Sequence, residues 1–185
     1  MVIGICGKIA SGKSEVLKIF GRYGFFCIDA DKIVHDLYKP GGLGAVRVAA
    51  YFGKRFLKKN GEVDRIKLRN AVFSNENKLK LLQDIIHPTV YNEISLLLQR
   101  HKDEDVAIES VFFDKDFLGD FVDQLIWVER DEKEILKVLK EERGFDDALA
   151  RKAIDLVQKP EKGDIFELKN CGGLDLLEAY VVLMQ

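Results

Sequence analysis

The chain has 185 residues, of which 47% are hydrophobic, and its 29 basic and 31 acidic side chains give a net charge of −2. This balance provides no overall positive field to attract nucleic acid or an anionic membrane surface. No apolar run approaches the about 18 residues that span a bilayer, and the first residues lack the features of a secretory signal. The three cysteines, Cys6, Cys27 and Cys171, have no metal-ligand spacing. We therefore expect buried thiols in a cytoplasmic protein.

The first thirty residues have the pattern of a strand, a helix and a second strand. The run at 2–6 is short and β-branched, which is typical of a parallel strand buried on both faces. Helical spacing covers about 13–23 and ends at Gly24. The run at 25–28 predicts a second buried strand that ends at Asp29, which completes a βαβ unit.

The following seventy residues contain no convincing strand pattern. Helix-period segments cover 31–38, 43–52, 65–73, 75–86 and 88–101, with breaks at Pro40–Gly42, Asn60–Gly61 and Pro88. One crossover connection needs far fewer residues than this. The pattern therefore predicts a helical lobe, at about 31–101, inserted between two strands.

Strand patterns resume in the second half of the chain. We predict strands at 105–109, 124–128 and 165–168, a charged helical segment at 131–158 and a last helix at about 174–184. The sum is an α/β protein with a five-stranded parallel sheet flanked by helices. Its core would comprise residues 1–30 and 102–185 of a single domain.

A glycine-containing loop joins the first strand to the first helix. Residues 7–14, Gly-Lys-Ile-Ala-Ser-Gly-Lys-Ser, match the pattern G-x-x-x-x-G-K-[ST]. In such a loop the backbone amides surround a phosphate, Lys13 reaches the β- and γ-phosphates, and the Ser14 hydroxyl ligates Mg²⁺. Chance produces the four fixed positions in roughly one chain in 100 of this length. The strand–loop–helix context nevertheless predicts a nucleoside triphosphate site.

The loop does not by itself distinguish a kinase from an ATPase or a GTPase. A guanine-reading N/T-K-x-D segment is not matched by 77–80, because this segment ends in lysine and lies on a predicted helix. The small size, the helical lobe and a charged lid-like segment favour a small-molecule kinase. Such an enzyme closes over both substrates to exclude water.

Two carboxylates, Asp29 and Asp31, follow the second strand. The carboxyl ends of the strands in an open α/β sheet form the edge where ligands bind. A carboxylate at this edge can accept the proton of an attacking hydroxyl or orient that hydroxyl. Alternatively, Asp31 only caps the next helix. The spacing leaves both interpretations open.

Together these motifs resemble the dephospho-CoA kinase family. The phosphate loop and Ile28-Asp29-Ala30-Asp31 match its N-terminal pattern, and further short matches keep their order up to residue 90: Lys39–Gly41, Tyr51–Gly53, Asn60–Arg65, Leu68, Val72–Phe73 and Ile86–Pro88. The loop is shared by many families, but its combination with D-A-D and H-P is specific. The resemblance implies a P-loop NTPase fold and the Mg²⁺-dependent transfer of the ATP γ-phosphate to the ribose 3′-hydroxyl of dephospho-coenzyme A.

The same resemblance implies the roles of individual residues. The nucleotide-binding set would be Gly7, Ala10, Ser11, Gly12, Lys13, Ser14, Glu15 and Arg143. Asp31 corresponds to the presumed base or orienter of the 3′-hydroxyl, and it forms the catalytic set with Lys13. Arg65 and His87 correspond to residues that bind the acceptor. Without the resemblance, Arg65 would be an ordinary surface residue and His87 would cap a turn before Pro88.

The lid, at about 137–160, departs from the family pattern and is shortened. Arg143 and Gln158 match its second arginine and its glutamine, but the first arginine falls on Leu139, which can neither stack on a base nor clamp phosphates. The basic residues nearby either substitute as point charges or belong to a solvated helix face: Lys137, Lys140 and Arg151. Ahead of the lid, Glu109 and Asp114 either hold water on Mg²⁺ or simply end a strand.

These departures keep two alternatives open. One is a P-loop kinase with a changed small-molecule acceptor, which competition between nucleosides and dephospho-CoA would reveal. The other is a catalytically weak nucleotide-binding homologue, suggested by Leu139 and the altered segment 110–114. The presence of Lys13, Ser14 and Asp31 argues against this second alternative.

Overall fold

The described residues form one sheet of five parallel strands. The computed structural model describes residues 1–111, 113, 118–160, 165–170, 178 and 182. The strands are β1 (Val2–Gly7), β2 (Phe26–Asp29), β3 (Val106–Glu109), β4 (Gln124–Glu129) and β5 (Ile165–Lys169), in the order β2-β3-β1-β4-β5. All four strand pairings are parallel, which confirms the predicted sheet.

Seven helices connect these strands within the part of the chain that the structure describes. They are α1 (Lys13–Arg22), α2 (Ala30–Leu37), α3 (Leu43–Phe52), α4 (Arg65–Phe73), α5 (Glu76–Arg100), α6 (Glu132–Glu141) and α7 (Asp147–Asp155). Short 3-10 turns lie at Lys54–Phe56 and Gly119–Phe121. None of the described helices is both long enough and apolar enough to cross a membrane.

The central strand β1 is buried because it has a strand on each side and α1 packs in the same core. Ile3 and Ile5 of β1 are completely buried, and they cluster with Val16, Ile19 and Phe20 of α1. Each buried side chain of this size contributes about 1.5–3 kcal/mol relative to an exposed one. This packing fixes the end of β1 and the start of α1, and therefore the loop between them.

The chain divides into two compact units. The first comprises residues 1–29 and 98–185 and contains the sheet, whereas the second comprises residues 30–97. The second unit is helical apart from an isolated antiparallel bridge between Leu57 and Val63. The turn Asn60–Gly61 joins the two sides of this bridge, with Gly61 at a φ of 87°.

The predicted helix break at Pro88 is wrong, because α5 runs through this residue. Ile85 and Ile86 before the proline are buried, as are Val90 and Ile94 after it. Burial on both sides stabilises the helix against the missing amide and the steric preference of the residue before proline. Tertiary packing thus overrides the local signal.

The prediction that β2 is a buried strand is also wrong. β2 lies at the edge of the sheet, and of its four residues only Ile28 is buried. Cys27 on this strand is an exposed free thiol, whereas Cys6 on β1 is a buried one. The expectation of buried cysteines therefore holds for Cys6 and fails for Cys27. Cys171 lies outside the described residues.

The charged segment 131–158 forms two helices rather than one. α6 ends at Glu141 and α7 begins at Asp147. The side chain of Asp146, the residue before α7, accepts a hydrogen bond of 2.8 Å from the Leu149 amide. Asp146 is a typical N-cap residue, so it starts a new helix here. Of the predicted helix at 174–184, only residues 178 and 182 are described, and both are helical.

Candidate functional site

Two positions of the loop between β1 and α1 have a backbone conformation and surroundings that favour glycine. Gly7 has a φ of 151°, and a Cβ there would lie 2.4 Å from the carbonyl oxygen of Val128. Gly12 has a φ of 102°, and a Cβ there would lie 2.2 Å from Nδ2 of Asn170. The backbone contact excludes a side chain at Gly7, and the positive φ disfavours one at Gly12, so both positions favour glycine.

Lys13 lies inside the curve of the loop. Its Nζ donates hydrogen bonds to the carbonyl oxygens of Gly7 and Lys8, both at 3.1 Å, and the residue is only 6% exposed. The first residue of α1 therefore holds a positive charge at the amino end of its own helix. A cation in this position attracts an anion such as a phosphate.

Four backbone amides of the loop are available to the same anion. Within the described part of the chain, the amides of Ile9, Ala10, Gly12 and Ser14 donate no hydrogen bond. The Ser11 hydroxyl oxygen, which is buried, likewise has no hydrogen-bond partner among the described residues. Amides that converge at a helix N-terminus form an anion site, so the loop fits a phosphate chain.

A hydroxyl and two carboxylates lie together beside the loop. Ser14 Oγ donates a hydrogen bond of 3.0 Å to Oε1 of Glu109, which is buried at the end of β3. Asp29 at the end of β2 is in register with Glu109, so the two acidic residues are neighbours on adjacent strands. These are hard oxygen ligands of the kind that Mg²⁺ prefers.

The described residues fit Mg²⁺ better than they fit a metal held by protein ligands alone. No group of three or more His, Cys, Asp and Glu side chains in the described residues could hold a metal. Mg²⁺ usually keeps several waters and binds one or two carboxylates together with substrate phosphates. The pair of Ser14 and Glu109 next to an anion loop matches this requirement.

Two residues to which the sequence assigned no role in the site contact the loop. Arg130 Nη1 donates to the carbonyl oxygen of Ala10 at 3.2 Å, and Asn170 Nδ2 donates to that of Ser11 at 2.9 Å. Each residue directly follows a strand, β4 or β5, near β1 in the sheet. Their position two residues after the predicted parallel strands at 124–128 and 165–168 was the available signal.

The three residues expected to bind the acceptor belong to the second unit, residues 30–97. Asp31 is exposed in the first turn of α2, which begins one residue earlier, and Arg65 is the exposed first residue of α4. His87 lies in the middle of α5 and is partly buried. His87 therefore does not cap a turn before Pro88, as the local alternative proposed.

Within the second unit, Arg65 lies close enough to Tyr38 to influence its ionisation. Burial raises the pKa of Tyr38 to about 12, and the positive charge of Arg65 opposes this rise. The Tyr38 carbonyl accepts a hydrogen bond from the Val63 amide at 3.0 Å. Arg65 therefore lies near a buried residue, Tyr38, whose backbone is held by a hydrogen bond.

The lid residues have very different environments. Leu139 is completely buried in α6, where its carbonyl accepts a hydrogen bond from the Phe145 amide, whereas Arg143 is exposed in the turn before α7. Lys140 forms an ion pair with Asp147 at 2.6 Å, which agrees with a solvated helix face rather than a phosphate clamp. Leu139 is thus a core residue of the helix pair.

Comparison with known proteins identifies the family. The family described as dephospho-CoA kinase matches residues 1–159. The dephospho-CoA kinase of Carboxydothermus hydrogenoformans is 36% identical over 183 residues, covering 94% of this chain and 87% of that protein. The chain belongs to the dephospho-CoA kinase family. It is therefore a kinase, as the family resemblance of the sequence led us to expect.

A second family member and two solved structures are also similar to this chain. The dephospho-CoA kinase of Fusobacterium nucleatum is 35% identical over 154 residues, covering 83% of this chain and 79% of that protein. A crystal structure from Thermus thermophilus has a TM-score of 0.70 at 25% identity, covering 100% of this chain and 95% of that chain. The dephospho-CoA kinase from Campylobacter jejuni has a TM-score of 0.60 at 24% identity, with 99% and 94% covered, and so has the same fold.

Proposed function

We propose that this protein transfers the γ-phosphoryl group of ATP to the ribose 3′-hydroxyl of dephospho-coenzyme A and releases coenzyme A and ADP. The observation that carries the proposal is the anion loop with Lys13 inside it and the pair of Ser14 and Glu109 beside it. Family membership supports the choice of acceptor. The free thiols of Cys6 and Cys27 suit a reducing cytoplasm, where we propose that the protein acts.

The nucleotide side of the reaction uses the loop and the start of α1. We assign ATP binding to Gly7, Ala10, Ser11, Gly12, Lys13, Ser14, Glu15 and the lid residue Arg143. The loop amides bind the phosphate oxygens, and Lys13 contacts the β- and γ-phosphates, where negative charge is concentrated. Phosphoryl transfer depends mainly on such positioning and charge neutralisation.

Ser14 and Glu109 are the residues that would hold Mg²⁺, Ser14 as a ligand and Glu109 through a bound water. The metal, when bound, neutralises charge on the transferred phosphoryl group. Asp29, the neighbour of Glu109 across the strand pairing, adds negative charge to this position. Because the Ser14 hydroxyl donates its hydrogen to Glu109, the lone pairs of its oxygen point away from this carboxylate and can bind the metal.

The acceptor side belongs to the helical unit at residues 30–97, which we propose as the acceptor-binding lobe. Asp31 accepts the proton of the 3′-hydroxyl or orients it for attack, and Arg65 and His87 bind the acceptor. Arg65 is suited to the phosphates of dephospho-CoA because its guanidinium is exposed and always charged.

The deciding experiment measures ADP release from Mg·ATP with and without dephospho-CoA, with coenzyme A identified by mass. We expect ADP release that depends on dephospho-CoA, and a coenzyme A yield equal to the ADP formed. Adenosine, as a competing acceptor, serves as the specificity control. Protein that binds ATP yet forms no coenzyme A would contradict the proposed reaction and would favour a changed acceptor or a regulatory binder.

A further inference from the structure

We infer that Arg130 and Asn170 act together as positioning residues that hold the phosphate loop in its nucleotide-binding conformation. The inference rests on the proposed ATP site and adds two residues that lie outside the loop motif. Arg130 follows β4 and Asn170 follows β5, and both side chains donate hydrogen bonds to the loop backbone.

The sheet places the two residues side by side. Glu129 at the end of β4 is in register with Lys169 at the end of β5, and the Asn170 amide continues this pairing with a 2.7 Å hydrogen bond to the Glu129 carbonyl. Arg130 and Asn170 are the next residues along these two chains. Because β4 also pairs with β1, both residues lie at the strand ends where the loop begins.

The two side chains hold consecutive carbonyls. Arg130 Nη1 contacts the Ala10 oxygen at 3.2 Å, and Asn170 Nδ2 contacts the Ser11 oxygen at 2.9 Å. In a planar trans peptide the carbonyl and the following amide point in opposite directions. Fixing the Ser11 carbonyl therefore directs the Gly12 amide away from Asn170 and into the loop.

The loop backbone needs this support. Ala10 has a φ of 59°, a left-handed conformation that is disfavoured for a residue with a Cβ. Such a conformation persists when surrounding contacts fix it, and the hydrogen bond from Arg130 to the Ala10 carbonyl is such a contact. Glu134, whose Oε2 lies 3.8 Å from Arg130 Nη2, helps to orient the guanidinium.

Loss of either contact should lower the population of loops that can bind nucleotide. The apparent affinity falls in proportion to the competent fraction. For the loss of one side-chain hydrogen bond to the loop backbone, we expect about a tenfold decrease in affinity. Because the two contacts hold adjacent peptide groups of one loop, their effects should not be independent.

The test titrates ADP with Mg²⁺ into the wild type and four variants of the complete chain. The variants are Arg130→Met, Arg130→Lys, Asn170→Leu and the double variant Arg130→Met/Asn170→Leu. Arg22→Met is the matched control, because it removes an arginine that forms a 2.6 Å ion pair with Glu178 at the far end of α1. The melting temperature of each protein without nucleotide is measured in parallel.

We expect Arg130→Met and Asn170→Leu each to weaken ADP binding about tenfold, with the affinity of Arg130→Lys between those of wild type and Arg130→Met. The melting temperature without ADP should stay close to that of Arg22→Met. The double variant should lose less affinity than the product of the two single losses. Arg130→Lys keeps the positive charge and can still donate a hydrogen bond, but it lacks the planar guanidinium. This variant therefore still tests the role of Arg130 if Arg130→Met does not fold.

Three results would overturn the inference. The first is ADP affinity within twofold of wild type in both single variants, and the second is an affinity loss that merely follows a fall in melting temperature. The third is a double variant whose loss of ADP affinity equals the product of the two single losses, which would show that Arg130 and Asn170 act independently. Failure of the wild type itself to bind ADP would instead refute the proposed nucleotide site, and the inference with it.

Discussion

Ser14 Oγ lies 3.0 Å from Oε1 of Glu109, although the two residues are 95 positions apart in the chain. Ser14 is placed by the start of α1, and Glu109 by the end of β3, which pairs directly with β1. The strand pairing therefore brings a carboxylate to the hydroxyl that follows the phosphate loop.

Replacing Glu109 by Gln should increase the Mg²⁺ concentration needed for half-maximal activity by about 10–100-fold. Gln has the same shape and can still accept a hydrogen bond from Ser14, but it lacks the negative charge that attracts the metal. Initial rates across a Mg²⁺ titration provide the measurement. Glu129→Gln, at the exposed end of β4, is the control and should not change the Mg²⁺ dependence. An unchanged Mg²⁺ dependence in Glu109→Gln would show that this carboxylate only ends its strand.

Replacing Lys13 by Met should lower kcat by about 100–1000-fold. Met has a similar length but cannot neutralise the charge of the transferred phosphoryl group. Lys18→Met is the matched control, because Lys18 lies on the same helix with 70% of its side chain exposed. Circular dichroism checks that both variants are folded. A Lys13→Met enzyme that retained wild-type turnover would contradict the role of this cation.

Replacing Asp31 by Asn should lower kcat by about 10²–10⁴-fold and leave the affinity for ATP nearly unchanged. The reason is that the proposed carboxylate acts on the acceptor hydroxyl. Asp36→Asn removes another exposed carboxylate of α2, which pairs with Lys39, and should have little effect. Steady-state kinetics and equilibrium binding of ATP separate the two effects. Weaker Mg·ATP binding at unchanged kcat would instead make Asp31 a metal-linked residue.

Restoring an arginine at the first lid position should damage the fold rather than improve catalysis. Leu139 is completely buried, so Leu139→Arg would bury an unpaired charge and lower the free energy of unfolding by about 3–5 kcal/mol. Leu139→Met, which keeps the volume, should cost less than about 1.5 kcal/mol. Urea unfolding measures both values. A stable Leu139→Arg variant with tighter ATP binding would mean that this position faces the nucleotide.

Alkaline pH should destabilise the protein through the Cys6 thiol. Burial raises the pKa of Cys6 from 9.0 to about 12, and the positive charge of Lys13 partly opposes this rise. The folded state thus holds the proton more tightly than the unfolded state, so this contribution is fully present below pH 9.0 and is lost as the pH rises to about 12. Thermal unfolding at a series of pH values above 8 should show a weaker pH dependence in Cys6→Ala than in wild type.

The same burial predicts the order in which the two described thiols react. Iodoacetamide at pH 8 should label the peptide that contains exposed Cys27 before the peptide that contains buried Cys6. Burial also raises the pKa of Cys27, so its labelling should be slower than that of a free thiol in solution. Equal labelling of both peptides in the folded protein would contradict the burial of Cys6.

Residue patterns were enough to predict the phosphate loop, the βαβ unit around it and the five parallel strands. These features depend on contiguous residues: the two loop glycines, Lys13 and Ser14, and the short β-branched runs. Local periodicity and backbone geometry encode them, so they can be recognised without knowledge of the fold. The boundaries of α3 and α4 were predicted correctly for the same reason.

Residue patterns could not predict how distant residues complete the site or which local signals are overridden, because both depend on the packed fold. Glu109, Arg130 and Asn170 contact the loop region because the strand order β2-β3-β1-β4-β5 brings their strand ends together, and no local pattern encodes that order. Burial continues α5 through Pro88 and places Leu139 in the core. The free energy of packing depends on contacts between segments far apart in sequence, and this is why periodicity could not reveal it.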